Sequence, residues 1–156
     1  NRGISGNKVF QLADRWDDDC LALKPSVLSI LVGVNDYWHT ITHGYKGTVQ
    51  TYRDDYVKLI TGTREKLPAV RLIIGEPYAL KGVNVVDDSW YPDFDEYRAA
   101  AREIAVRFGA VFIPYQNIYD KALKLAPASY WSFDGVHPTL AGARLMSQAW
   151  LHAVNG

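Results

Sequence analysis

Asp134 and His137 are three residues apart near the end of the chain, in the run Asp-Gly-Val-His-Pro. At this spacing in a tight turn, the carboxylate can accept a hydrogen bond from the imidazole Nδ1–H. That contact fixes the tautomer and leaves Nε2 free to act as a general base. Taken by itself, the pattern also fits a surface turn that happens to contain a histidine. It predicts an acid-base pair only in combination with other groups.

Two further segments could donate hydrogen bonds to a developing negative charge. Asn35, in the run Gly-Val-Asn-Asp, can aim a neutral amide N–H at a ligand and so stabilise an oxyanion without supplying a titratable proton. Gly3, in the run Asn-Arg-Gly-Ile-Ser-Gly, can present its backbone N–H at close range because it has no Cβ. The structural alternatives are an Asn-Asp turn that bonds its own backbone and a glycine turn that leads into a helix.

Three short apolar runs must position these groups, at residues 27–33, 71–77 and 110–115. Runs that are apolar on both faces are typical of strands buried in a parallel sheet that is covered by helices. Amphipathic spacing between the runs predicts helices, which favours an open α/β sheet. Such sheets place their ligand crevice at the carboxyl ends of the strands. The expected helices lie around residues 9–16, after Thr48, over 94–108, over 117–126 and from Thr139 onward, with loops over 36–47 and 78–93.

In chain order, the strings N-R-G-I-S-G, G-V-N-D-Y-W and D-G-V-H-P-T-L-A-G resemble the second, third and fifth sequence blocks of the SGNH, or GDSL-type, hydrolase family. The resemblance spans nearly the whole chain. It implies a flavodoxin-like, three-layer α/β/α fold with a parallel sheet and a Ser-His-Asp esterase mechanism. It also implies that His137 is the base, that Asp134 orients it, and that the Gly3 N–H and the Asn35 side chain form the oxyanion hole.

The sequence departs from the family at the nucleophile, because the first block, Gly-Asp-Ser, is absent. We assign none of the seven serines to that role; Ser132 lies near Asp134 but lacks the glycine-flanked elbow that exposes a nucleophile. In the family, the missing segment also carries the first two strands. We therefore expect residues 1–156 to be a single SGNH hydrolase domain without its N-terminal strand-and-nucleophile segment. We expect the three remaining strands to expose an apolar edge and the chain not to fold as an independent, active unit.

The residues of the three strings are most similar to the corresponding motifs of bacterial acetylxylan esterases and related carbohydrate O-deacetylases. Trp38, His39 and Trp131 are candidate substrate-binding residues, since aromatic faces can stack on sugar rings; the alternative is that these rings pack loops down. The expected partner is a small-molecule or oligosaccharide ester. The other functions considered are a lysophospholipase or short-chain thioesterase of the same family, and a non-catalytic carbohydrate-binding relative or inactive fragment.

Composition limits which partners, metals and cofactors are expected. The 17 basic and 17 acidic side chains give no net charge, which argues against a nucleic-acid partner, since such partners require a basic excess. No apolar run approaches the roughly 18 residues of a membrane span, so we expect no membrane partner. The single Cys20 excludes a multi-cysteine zinc site, and His39 and His43 lack a third ligand. We expect no metal and no cofactor. The sequence is compatible with a monomer or an oligomer.

Overall fold

The structure is a computed structural model that describes residues 1–155. It contains a parallel sheet of three strands in the order β1, β2, β3. Each strand forms from one of the three apolar runs, and in the register Ile30 lies opposite Ile74, which lies opposite Phe112. The predicted α/β class is confirmed. The strands are β1 (Val27–Leu31), β2 (Arg71–Gly75) and β3 (Val111–Ile113).

Helices connect and flank the strands, and each predicted helix is present with boundaries shifted by a few residues. Thr48 caps the longest one, since its Oγ1 accepts the Thr51 N–H at 3.1 Å. A π-helical turn over Asp17–Leu21 and a 3-10 turn over Asp88–Trp90 lie between the main elements. The helices are α1 (Val9–Ala13), α2 (Val34–Thr42), α3 (Val49–Lys66), α4 (Asp93–Arg107), α5 (Tyr115–Ala122), α6 (Ala128–Trp131) and α7 (Leu140–Asn155).

The loop predicted over residues 36–47 is wrong in its first half, where α2 forms. This segment is rich in Asn, Asp, aromatic, His and Thr residues, which are weak helix formers. Tertiary packing decides the outcome, because the buried Tyr37 ring lies 5.6 Å from the rings of both Phe94 and Tyr97 on α4. His39 therefore lies on a helix, and so does Trp131, at the end of α6.

Two apolar layers cover the two faces of the sheet. Alternate residues of β2 point to opposite sides, so Leu72 and Ile74 join the larger core with α3 and α4, while Ile73 joins a second core with α5 and α7. This is the three-layer α/β/α arrangement expected above. None of the described helices is long and apolar enough to cross a bilayer.

The outer edge of β1 is open. Within residues 1–155, β1 pairs with β2 on one side only. Val27 and Leu31 on this strand are 42% and 47% exposed, although apolar strand residues normally lie in a core. The expected apolar sheet edge is confirmed.

Candidate active site

The turn at residues 134–137 lies between α6 and α7 and is held against the segment that follows β2. Gly135 has a φ of 107°, which glycine adopts at little cost. A Cβ there would come within 2.6 Å of Val86 Cγ2 and 2.7 Å of the Leu80 carbonyl oxygen. The Leu80 N–H in turn donates to the Gly135 carbonyl at 2.9 Å. Only glycine fits at this point, and the close packing fixes the position of the turn.

Asp134 and His137 form the contact that their spacing predicts. The distance from Asp134 Oδ2 to His137 Nδ1 is 2.7 Å, and Asp134 Oδ1 accepts the backbone N–H groups of Val136 and His137 at 3.0 and 2.8 Å. Burial by itself would raise the pKa of Asp134, but the hydrogen bonds outweigh it and the pKa is lowered. An ionised carboxylate here draws the ring hydrogen to Nδ1 and leaves Nε2 as the basic nitrogen. The His137 side chain is 59% exposed, so a substrate can reach it.

Asn35 lies in the first turn of α2, directly after the carboxyl end of β1. The sharp exit from the strand occurs at Gly33, which has a φ of 132°. A Cβ at Gly33 would come within 2.9 Å of the Tyr52 hydroxyl and 3.0 Å of Pro77 Cγ. Asn35 Nδ2 donates to the Asn7 carbonyl at 3.3 Å, so one amide hydrogen is committed to the protein and the second is left for a ligand.

The Gly3 N–H is the second expected donor, and in this conformation it bonds within its own segment. It donates to the side-chain oxygen of Asn1 at 2.9 Å. Asn1 is exposed, so its side chain can rotate away without disturbing a core. The N–H of Gly3 then becomes free to bind another oxygen.

Gly3, Asn35 and His137 all line one cavity of about 820 Å³, which also runs along β1 past Val27 and Leu31. Asp134 binds Nδ1 of the His137 ring, so Nε2 is left free. The structure therefore brings together the four residues that the sequence selected from three distant segments. A base, its carboxylate partner and two neutral N–H donors make a site suited to acyl transfer.

The three candidate substrate-binding residues lie in different surroundings. Trp38 lines the cavity, and its ring centroid lies 6.4 Å from that of His137. Trp131 and His39 are not among the residues that line it. Trp131 packs against the core formed with α7 and donates its Nε1–H to the Ala126 carbonyl at 3.2 Å. Trp90, in the 3-10 turn that precedes α4, is 1% exposed and belongs to the core.

His39 has a partner that the sequence did not reveal. Lys8 Nζ lies 3.0 Å from His39 Nδ1, and an ammonium can only donate, so Nδ1 accepts and the ring hydrogen is on Nε2. Burial, the Lys8 charge and His43 together lower the pKa of His39, which favours its neutral form. The His39 and His43 ring centroids are 4.4 Å apart. Residues 1–155 contain no group of three or more His, Cys, Asp or Glu side chains arranged for a metal ion.

Asp36 is a second residue whose role sequence reasoning missed. Its carboxyl is 3% exposed and accepts the Val9 N–H through Oδ1 at 3.1 Å, which ties α2 to the start of α1. Burial raises the pKa of Asp36 to about 7, partly offset by the Val9 hydrogen bond and the Lys8 charge. No short-range signal in the sequence marks this contact, because Asp36 and Val9 are 27 residues apart.

No serine hydroxyl in residues 1–155 forms a hydrogen bond with the His137 ring. Ser132 is fully buried, and its hydroxyl donates to the His137 carbonyl and accepts the Gly135 N–H. Ser29 accepts the Trp150 indole N–H at 3.1 Å. Both hydroxyls are engaged in hydrogen bonds with groups other than the His137 ring.

Known proteins are similar to this chain in sequence and in fold. The chain is 30% identical to an acetylxylan esterase from Geobacillus stearothermophilus, over 99% of this chain and 70% of that protein. Its fold matches a protein from Parabacteroides merdae described as a GDSL-like lipase, with a TM-score of 0.98 and 56% identity over 99% of this chain and 72% of the other. It also matches Axe2, an acetylxylan esterase from Geobacillus stearothermophilus, with a TM-score of 0.87 and 26% identity over 100% and 71% of the two chains.

The family comparison covers nearly the same span as the three sequence strings. Residues 1–145 match the model of the GDSL-like lipase/acylhydrolase family. This range contains the Gly3 turn, the first turn of α2 and the Asp134–His137 pair, so the match includes every residue of the site. The chain belongs to the GDSL-like lipase/acylhydrolase family, and it is a hydrolase that acts on esters.

Proposed function

We propose that this protein is a serine esterase of the SGNH type that removes O-acetyl groups from carbohydrate through an acyl-enzyme. The observation that carries the proposal is the 2.7 Å Asp134–His137 pair at the cavity that Gly3 and Asn35 also line. The relative named as an acetylxylan esterase supports the choice of acyl group and sugar.

In this mechanism His137 Nε2 takes the proton of the serine hydroxyl as its oxygen attacks the acetyl carbonyl carbon. The carbonyl electron pair moves to oxygen, and the Gly3 N–H and the Asn35 amide donate hydrogen bonds to that oxyanion. His137 then protonates the sugar oxygen as the ester C–O bond breaks, which leaves the acetyl group on serine. Water repeats the sequence, again with His137 as base, and releases acetate. Asp134 stabilises the imidazolium in both halves.

The nucleophilic serine, on this proposal, lies on a polypeptide segment ahead of Asn1 that adds a parallel strand to the open edge of β1. Two features support it: the exposure of Val27 and Leu31, and the cavity that runs along this strand to His137. The carboxyl ends of parallel strands meet at one edge of a sheet. A serine at the end of the added strand would therefore face the crevice beside Asn35.

Trp38 is the proposed contact for the sugar. Its position at the cavity wall beside His137 suits an aromatic ring that stacks on the leaving alcohol. An exposed or half-buried indole can bind a sugar face without a charged group, which agrees with a neutral carbohydrate substrate. His39 and Trp131 lie outside the cavity and are not needed for this proposal.

The substrate test compares esters on the polypeptide that includes the segment ahead of Asn1. We expect release of acetate from acetylated xylo-oligosaccharides and faster hydrolysis of 4-nitrophenyl acetate than of 4-nitrophenyl octanoate. Faster octanoate hydrolysis would instead support a lysophospholipase or thioesterase. Absence of any ester hydrolysis would contradict the proposal and favour a non-catalytic carbohydrate-binding protein.

The matched variants are His137→Ala and His152→Ala. His152 lies on the exposed side of α7, away from the cavity. We expect His137→Ala to lower kcat by at least about a thousandfold, because the general base is lost. His152→Ala should leave kcat and KM unchanged. Full activity of His137→Ala would exclude the proposed role of the pair.

A further inference from the structure

The Arg15 guanidinium reaches back to the segment that carries Gly3. Its Nε and Nη2 both donate to the side-chain oxygen of Asn7, at 3.2 and 3.1 Å, and its Nη1 donates to the Arg2 carbonyl at 2.8 Å. Nη1 also donates to the carboxylate of Asp19. The Arg15 side chain is 23% exposed, so this planar fork is largely enclosed by the groups it holds.

The contact with Arg2 acts directly on one proposed oxyanion donor. The Arg2 carbonyl and the Gly3 N–H belong to the same peptide unit, which is planar and rigid. When the guanidinium fixes the carbonyl oxygen, it also fixes the direction in which the Gly3 N–H points. A charge-assisted hydrogen bond to that carbonyl further polarises the unit and strengthens its N–H as a donor.

The contact with Asn7 acts on the other donor. The Asn7 side-chain oxygen accepts two hydrogen bonds from Arg15, and the Asn7 backbone carbonyl accepts the Asn35 Nδ2–H at 3.3 Å. Asn7 therefore connects the guanidinium to the amide of Asn35. Holding Asn7 in place orients that amide, because its committed hydrogen determines where the free hydrogen is aimed.

We propose that Arg15 is a positioning residue that sets both donors of the oxyanion hole, Gly3 through the Arg2 carbonyl and Asn35 through Asn7. This role rests on the proposed function, which assigns those two donors. Arg15 also lines the cavity, but on this proposal it acts through the two donors and not by contact with the reacting atoms. Its effect on the reaction comes from the geometry of the two N–H groups at the moment when charge develops on the carbonyl oxygen.

If Arg15 only formed an ion pair with Asp19, lysine could replace it. The positioning role requires the guanidinium, and this difference makes the role testable. Lysine keeps the positive charge and can still pair with Asp19, but one ammonium cannot reproduce the fork that grips Asn7 and the Arg2 carbonyl together. Arg15→Lys therefore separates the positioning role from the charge. Asn7→Ala removes the side-chain oxygen that accepts two hydrogen bonds from Arg15. It keeps the backbone carbonyl that accepts the Asn35 Nδ2–H.

The experiment measures kcat and KM for 4-nitrophenyl acetate, using the polypeptide that includes the segment ahead of Asn1. We expect Arg15→Lys and Asn7→Ala each to lower kcat by about 10- to 100-fold with KM changed by less than about threefold. In an Asn35→Ala background, Arg15→Lys should cost less than it does alone, because one of its two targets is already gone. Asn7→Ala provides the same test if Arg15→Lys does not fold.

Arg64→Lys is the matched control. Arg64 also donates to backbone carbonyls, those of Val70 at 2.7 Å and Phe108 at 2.9 Å, but it does not line the cavity. We expect this variant to lower Tm with kcat within about twofold of wild type. An equal kcat loss in Arg64→Lys, or additive losses with Asn35→Ala, would overturn the inference.

The outcomes also separate this inference from the proposed function. If Asn35→Ala leaves kcat unchanged, the assignment of the oxyanion hole is wrong. If Asn35→Ala slows the enzyme and both Arg15→Lys and Asn7→Ala leave kcat unchanged, the hole stands and the positioning role of Arg15 is overturned.

Discussion

Replacing Asp36 by Asn removes a buried carboxyl while preserving its shape. Asp36 is 3% exposed, its Oδ1 accepts the Val9 N–H at 3.1 Å, and its Oδ2 has no hydrogen-bond partner among the described residues. An asparagine oxygen can accept the same N–H. The variant therefore removes a titrating group with little change in the backbone contact that joins α1 and α2.

The size of the effect follows from the pKa. Burial, with a smaller contribution from Asp55, raises the pKa of Asp36 from its ordinary value of 3.8 to about 7. Between these two pH values the folded protein keeps a proton that the unfolded chain has released, so the free energy of unfolding falls as pH rises. At 1.36 kcal/mol for each unit of pKa difference, the loss reaches roughly 4 kcal/mol near pH 7. The asparagine side chain does not titrate, so the free energy of unfolding of Asp36→Asn has no such loss.

The assay is urea unfolding of wild type and Asp36→Asn at about pH 4.5, 6 and 7.5, using the polypeptide that includes the segment ahead of Asn1. We expect the stability of Asp36→Asn relative to wild type to increase steadily with pH. Asp14→Asn is the control, since Asp14 is exposed, and its stability relative to wild type should not change with pH in this way. Parallel pH profiles for wild type and Asp36→Asn would refute the argument that a buried carboxyl is ionised at a cost.

The remaining predictions concern the site and its support. Asp134→Asn should lower kcat by about 10³- to 10⁴-fold, because an amide N–H facing Nδ1 favours the wrong imidazole tautomer; a loss below tenfold in esterase assays would contradict this. Trp38→Ala should raise KM for acetylated xylo-oligosaccharide more than KM for 4-nitrophenyl acetate, whereas equal changes would exclude a sugar contact. Gly33→Ala should destabilise the fold by about 1–3 kcal/mol in urea unfolding, from positive φ and close contact. Gly62→Ala, with no atom within 4 Å of its added Cβ, should stabilise α3 by about 0.5–1 kcal/mol, so similar values for the two would be inconsistent with this reasoning.

Strand β2 was predictable because both of its faces are buried, one in each core. A run such as the one around Ile73 must then be apolar throughout, and that composition is visible in the sequence. Helix α2 was harder, although Val34, Tyr37, Trp38 and Ile41 follow helical spacing. Its residues have weak helix propensity, and the packing of Tyr37 against α4 decided the outcome.

The acid-base pair was predictable for a local reason. Asp134 and His137 are three residues apart, so the turn itself brings Oδ2 and Nδ1 to 2.7 Å. The partners of Arg15, Lys8 and Asp36 were not predictable in this way. Their contacts join segments whose relative positions depend on the packing of α1 and α2 at the sheet edge.

By itself, the sequence determined the α/β class, the three strands and the four residues proposed for acyl transfer. The class and the strands follow from short-range hydrophobic patterns, and the four residues follow from short sequence motifs. Only the tertiary structure decided that Gly3, Asn35 and His137 line one cavity, that His39 bonds Lys8 while Trp38 faces the site, and that the edge of β1 is open. The physical reason is the range of the interaction. Turn geometry acts over a few residues, whereas cavities and buried charges form where distant segments meet.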